Sequence, residues 1–135
     1  DLYIAQGQYR EAIKLLKHVL AIVPGSHPLT MTLARTHLKA NQPQYAEQLL
    51  LEHSKRKPND PSVWYLLAET HGLAGNIIGV HQARAEYFVL IGVLDIAARQ
   101  LGYALPLVKK DHLATARIHE RISQIQQMKR DIENL

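Results

Sequence analysis

The residues of this chain best suited to chemistry are its eight histidines, because a neutral imidazole can ligate a transition metal or move a proton near pH 7. Metal binding needs several of them to converge, and a helix achieves this by spacing ligands three or four residues apart, as in His-Glu-x-x-His. That motif does not occur. His119 and Glu120 are adjacent and point to different faces of a helix, while His18, His27, His37, His53, His71, His81 and His112 fall one by one along the chain. The sequence also has no glycine-rich phosphate loop, no cysteine nucleophile and no serine paired with a plausible base. We therefore assign this segment no metal, no cofactor and no catalytic residue, and expect it not to be an enzyme by itself.

The composition agrees with a binding or structural role. With 135 residues, 47% apolar and 21% charged, the chain is long enough to bury a core and resembles ordinary globular proteins. It has no run of eighteen apolar residues, so no membrane span is expected. The absence of cysteine rules out disulfides and thiolate metal sites but leaves the compartment open. Lysine and arginine exceed aspartate and glutamate by 16 to 12, a net charge of +4. The basic residues are scattered except at Lys55, Arg56, Lys57 and at Lys109, Lys110. A nucleic-acid surface gathers its charge on one face with stacking aromatics, whereas the triplet falls where a helix ends and meets the negative end of its dipole. Nucleic-acid binding is not expected.

The elements that would carry any binding surface are set by proline. The offset from Pro24 to Pro58 also relates Ala12 to Ala46, Leu16 to Leu50, and the lead-in Gly7 to Tyr9 with Asn41 to Pro43. Proline stops helices, and this shared interval is the period of a tetratricopeptide helix-turn-helix unit, about 34 residues. From Pro61 a further unit begins, in which Trp64, Leu67, Ala68 and His71 follow that repeat's first-helix pattern, with alanine for glycine and histidine for a packing tyrosine. Ala12, Ala34, Ala46 and Ala68 supply the small side chains that let paired helices cross closely, and Trp64 is expected in the core.

The fold class expected is thus all-α, a right-handed superhelix of antiparallel helix pairs making one domain over 1–135. A partial repeat occupies 1–26, with its first helix ending near Gln6 and its second over 8–22. A complete repeat occupies 27–60, with helices over 27–40 and 43–56, and another occupies 61–92, opening with a helix over 61–74. After Gly75 the strict period fails. Val80 to Ile91 reads as the second helix of that unit, yet Ala85, Phe88, Gly92, Leu94, Ala97 and Leu101 also read as the start of another, so an irregular overlapping repeat covers 80–110 and one helix serves two units. Pro106 interrupts, and Asp111 caps a final amphipathic helix over 111–135 whose seam is Ile118, Ile122, Ile125 and Ile132. The apolar Leu2, Tyr3 and Ile4 have no preceding helix to cover them, which leads us to expect that the sequence is a piece of a longer chain.

Stacked pairs of this kind hold partners along the concave wall formed by their first helices. In this alignment the wall receives Met31, Arg35 and Lys39, then Tyr65 and Glu69. Methionine and tyrosine give adaptable apolar contact, and the cations can grip carboxylates or backbone oxygens.

Trp64-Tyr-Leu-Leu-Ala-Glu-Thr-His-Gly-Leu-Ala-Gly75, followed by Gln82-Ala-Arg-Ala-Glu-Tyr-Phe88 and Ala97, resembles the C-terminal repeat domain of periplasmic zinc metalloproteases of the beta-barrel assembly-enhancing kind. The helix from Ala116-Arg117 to Met128 is similar to that family's ending. The resemblance covers most of the chain and is best after Pro58. It implies an N-terminal protease domain outside this sequence, holding zinc through His-Glu-x-x-His, and a periplasmic location. It also implies that the repeats pack over the protease domain of the same chain, restrict access to its active site, and contact outer-membrane beta-barrel proteins or their assembly complex. None of the zinc ligands maps onto this sequence.

Two other readings use the same repeats. A free-standing adaptor or cochaperone gripping an acidic peptide terminus would need lysine and asparagine at set concave places, where this chain has Met31, Arg35, Tyr65 and Glu69. A self-association scaffold would use the final helix. A metalloprotease motif upstream of Asp1 would separate the first reading from the free-standing adaptor.

Overall fold

The computed structural model describes the backbone from Leu2 and the side chains from Ala5 onward, so the uncovered apolar face expected at Leu2, Tyr3 and Ile4 lies outside the described side chains. The described residues form seven α-helices and one short 3-10 turn, with no strand. The fold is all-α, as expected from the repeat pattern. Its contacts separate into two compact units, Asp1–Pro58 and Asn59–Leu135, where the sequence reads as one domain.

The first unit contains α1 (Leu2–Ile22), α2 (His27–Lys39) and α3 (Pro43–Arg56). After α1 the chain turns through Pro24, which cannot continue a helix, and Gly25, whose φ of 79° suits glycine. Ser26 then caps α2 by accepting from the Leu29 N–H at 3.4 Å. At the other end of α2, Asn41 adopts φ 59°, the Gln42 N–H donates to the His37 carbonyl at 2.8 Å, and Pro43 opens α3. This left-handed closure satisfies the last carbonyls of α2. Met31, Leu33, Ala34, Ala46 and Leu50 form the core, and Ala34 and Ala46 are fully buried, as close helix crossing demands. Ala12 is half-buried.

One expectation fails in this unit. The sequence places a helix break near Gly7, but α1 runs unbroken from Leu2 to Ile22. The equivalent break after α2 combines a left-handed residue, Asn41, with a proline, Pro43. The first segment has Tyr9 in the proline position, and an isolated glycine costs a helix only about 1 kcal/mol.

The second unit contains α4 (Pro61–Leu73), α5 (Ile77–Leu90), α6 (Leu94–Ala104), the 3-10 turn Leu105–Leu107, and α7 (His112–Glu133). Asp60 caps α4 through the Ser62 N–H at 2.9 Å, Asn76 caps α5 through the Gly79 N–H at 2.9 Å, and Asp111 caps α7 through the Ala114 N–H at 3.0 Å. The Asn76 cap starts α5 at Ile77, three residues before the expected Val80. Gly75 and Gly92 take φ of 80° and 82°, and the Asn76 and Val93 N–H groups donate back to the His71 and Phe88 carbonyls, both at 2.8 Å. These are the same closure as at Asn41. It follows α2 at Asn41, then α4 one full repeat period later at Gly75, and then α5 after only half a period at Gly92. The helix that closes one pair therefore opens the next, which explains how the period is lost after Gly75.

The core between α5, α6 and α7 is built on Ala85, Ala97, Leu101, Ala104, Val108, Ile118 and Ile125, with Ile122 packed at its edge. Ile132, read as part of the same seam, is 59% exposed. Two ion pairs fasten α7. Arg121 meets Glu86 of α5 in a two-bond fork, Nη2 to Oε1 at 2.6 Å and Nε to Oε2 at 2.9 Å, and Lys129 meets Asp95 of α6 at 2.9 Å. Trp64, expected in the core, is only half-buried. It lines a cleft of about 240 Å³ with Gln82, Glu86, Leu101, Arg117, Ile118 and Arg121. Both partners of the Arg121–Glu86 fork thus share this cleft with the tryptophan.

Candidate functional site

In the second unit, α4 and α5 lie side by side and leave a cleft of about 290 Å³ between their exposed faces. Its lining is Tyr65, Ala68 and Glu69 from α4 with Arg84, Tyr87 and Phe88 from α5. The capped start of α5 and the left-handed Gly75 fix the two helices as a tight hairpin, and buried Ala68 and Ala83 allow their close approach. Each helix then contributes residues at three- or four-residue intervals, the spacing that keeps side chains on one face.

Aromatic rings form one wall. The Tyr65 and Tyr87 rings meet edge to face with centroids 5.4 Å apart, and Tyr87 meets Phe88 in the same way at 5.4 Å. Edge-to-face contact is the favoured geometry for such rings and orients them without a ligand. Tyr65 is nevertheless 61% exposed. Glu69 and Arg84 place one charge of each sign beside the rings, so the cleft offers apolar area with charge discrimination at its margin.

Of the five residues assigned from sequence to a binding wall, Tyr65 and Glu69 come together here. Arg35 and Lys39 are exposed on α2 in the first unit. Met31 is a correction: at 3% exposure it belongs to the core and offers no surface to a partner. Residues spaced by four rotate about 40° per step on an α-helix, so a line drawn through 31, 35 and 39 leaves the wall at one end. Met31 joins the buried side with Thr30 and Ala34. Sequence reasoning missed Arg84, Tyr87 and Phe88 as a binding face. Their signal was the spacing 84, 87 and 88 within the Gln82 to Phe88 stretch, which marks one helical face.

The buried histidines are placed by packing. His37 is buried and its Nδ1 lies 2.9 Å from Gln42 Oε1 across the α2–α3 turn. His71, its counterpart in the next repeat, is buried with Nδ1 3.4 Å from Asn76 Nδ2 across the α4–α5 turn. His53 is buried with Nε2 2.9 Å from His27 Nδ1, and the partly buried His81 has Nδ1 2.9 Å from Gln100 Oε1. Among the described residues no three histidine, aspartate or glutamate side chains converge as metal ligands. No helix among them is long and apolar enough to cross a membrane.

The chain is 33% identical over 129 residues to the beta-barrel assembly-enhancing proteases of Escherichia coli (strain K12) and Shigella flexneri. It is 31% identical over 128 residues to the protein of that name from Yersinia pestis. Each alignment covers 95% of this chain and 26% of the relative, so the chain spans about a quarter of the length of the proteins it matches. The similarity first seen around Trp64 to Ala97 thus extends along nearly the whole sequence. A tetratricopeptide-repeat family profile matches residues 3–70, which include α2, α3 and most of α4, and the chain belongs to the tetratricopeptide repeat family.

Proposed function

We propose that this segment is the partner-holding repeat module of a periplasmic zinc metalloprotease, and that it engages outer-membrane beta-barrel proteins or their assembly machinery. The observation that carries this reading is the cleft of Tyr65, Tyr87 and Phe88 flanked by Glu69 and Arg84. Support also comes from relatives named as beta-barrel assembly-enhancing proteases. An unfolded barrel strand alternates apolar and polar side chains. The aromatic wall suits the apolar set, and the two charges select among the polar neighbours. In this reading proteolysis and its zinc belong to another part of the parent protein, as the resemblance implies. By holding a client near that domain, or by packing over it, the module sets which chains reach the protease site.

Site-directed photocrosslinking in the full-length protein tests this. Crosslinkers at Tyr65 and Tyr87 are expected to capture barrel proteins or subunits of their assembly complex, and one at exposed Gln48 on α3 to capture far less. Equal capture from all three, or none from the cleft, would overturn the reading.

A further inference from the structure

A second cleft lies in the first unit and has a different character. It is formed where α1 passes the α2–α3 turn, has a volume of about 270 Å³, and is lined by Gln6, Arg10, Ile13, Lys17, His37, Ala40, Gln42 and Tyr45. The residues from α1 fall at intervals of four, three and four, one continuous helical stripe. Arg10 and Lys17 stand at either end of its exposed part with Ile13 between them. No acidic side chain lines the cleft, and neither cation is paired with a carboxylate among the described residues.

The opposite wall is held in place. Tyr45 is 60% exposed, yet its ring stacks on His37 with centroids 5.5 Å apart, and the buried His37 is fixed by its contact with Gln42. An exposed aromatic face is thereby oriented across from two free cations over a floor of Ile13 and Ala40. Such an arrangement suits an anion that carries apolar groups with it. Arg10 and Lys17 are seven residues apart, or about 10 Å along the helix. An extended peptide rises about 3.4 Å per residue and repeats a face every second residue. Same-face carboxylates two or four residues apart therefore bracket the distance between the cations, whose long side chains take up the difference.

We infer that this cleft binds an extended acidic peptide segment, its carboxylates meeting Arg10 and Lys17 and an apolar side chain lying on Tyr45. This site is separate from the Tyr65 cleft and does not depend on the function proposed for it.

Fluorescence anisotropy on the full-length protein, with labelled Ala-Asp-Tyr-Asp-Leu-Ala and its asparagine counterpart as probes, decides the matter. The asparagine peptide is expected to bind about tenfold more weakly, in line with charge-assisted hydrogen bonds. Arg10→Glu and Lys17→Glu are each expected to cause a similar loss for the acidic peptide. Arg10→Gln, which changes the helix least, should give a loss of several fold. Tyr65→Ala and Lys110→Glu should leave binding unchanged. Equal affinity for both peptides, or an equal effect of Lys110→Glu, would overturn the proposal in favour of unspecific charge attraction. Displacement of the peptide by equimolar inorganic phosphate would overturn it in favour of a simple anion site. Loss of binding in Tyr65→Ala alone would assign the peptide to the other cleft.

Discussion

Arg121 on the last helix holds both carboxylate oxygens of Glu86 on α5, at 2.6 and 2.9 Å, and so bridges two helices that flank α6. The side chains are 29% and 25% exposed, which puts the pair between a solvated surface contact and a buried one. Hydrogen bonding to Glu86 raises the Arg121 pKa further above its usual value, so the guanidinium stays charged at any working pH. Replacing either partner, Glu86→Gln or Arg121→Leu, is expected to lower stability by about 1 kcal/mol. A double-mutant cycle followed by urea denaturation should show the two losses to be less than additive.

Asp95 and Lys129 form a solvated counterpart. The hydrogen bond from Lys129 and then its charge hold the Asp95 carboxyl below the ordinary value of 3.8. In the unfolded chain that value is restored, so the stabilisation is fully present above about pH 4. It is lost as the pH falls through the lower folded value. NMR titration should find the Asp95 midpoint below 3.8, and Lys129→Ala should move it upward.

Gly79 and Gly72 should respond oppositely to alanine. A Cβ on Gly79 would lie 2.7 Å from Cγ of the buried His71 ring and 2.8 Å from Asn76 Nδ2, so Gly79→Ala is expected to cost about 1 to 3 kcal/mol through overpacking. On Gly72 the nearest atom would be Val80 Cγ2 at 3.7 Å. Gly72→Ala should stabilise α4 by up to about 1 kcal/mol through helix propensity. Thermal melts of the two variants check both signs.

Trp64→Ala should cost about 2 kcal/mol, less than the loss expected for a fully buried aromatic, because part of the side chain already faces its cleft. Leu67→Ala, at a position 1% exposed, should cost about 3 kcal/mol. Chemical denaturation should rank the two in that order.

Helices were legible in the sequence wherever a stop signal was doubled. Pro24 with Gly25, Asn41 with Pro43, and Pro58 with the capping Asp60 each ended one helix and began the next. Gly7 lacked a second signal and the helix continued through it, whereas Gly92, equally single, ends α5. The sharing of α5 was legible because Gly92 repeats the closure of Gly75. Half of the candidate site was visible, since Tyr65 and Glu69 belong to a helix with a clear repeat pattern. Arg84, Tyr87 and Phe88 were hidden because α5 plays two roles, and a pattern drawn for either assigns its faces differently. Met31 was misplaced for a geometric reason: a four-residue interval slightly exceeds one helical turn, so a face drawn in such steps wanders toward the core.

The double role of α5 also bears on how the second unit opens. Its contacts with α4 and with α6 are the two most extensive between helices, so neither hairpin can separate without exposing one side of α5. Release of one neighbour uncovers one side of α5 and leaves the other side packed, so its central hydrogen bonds stay supported until both have gone. Hydrogen exchange in α5 should therefore be slower than in α4 or α6 and should follow the global unfolding of that unit. At the far end of α7, exchange should proceed by local fraying.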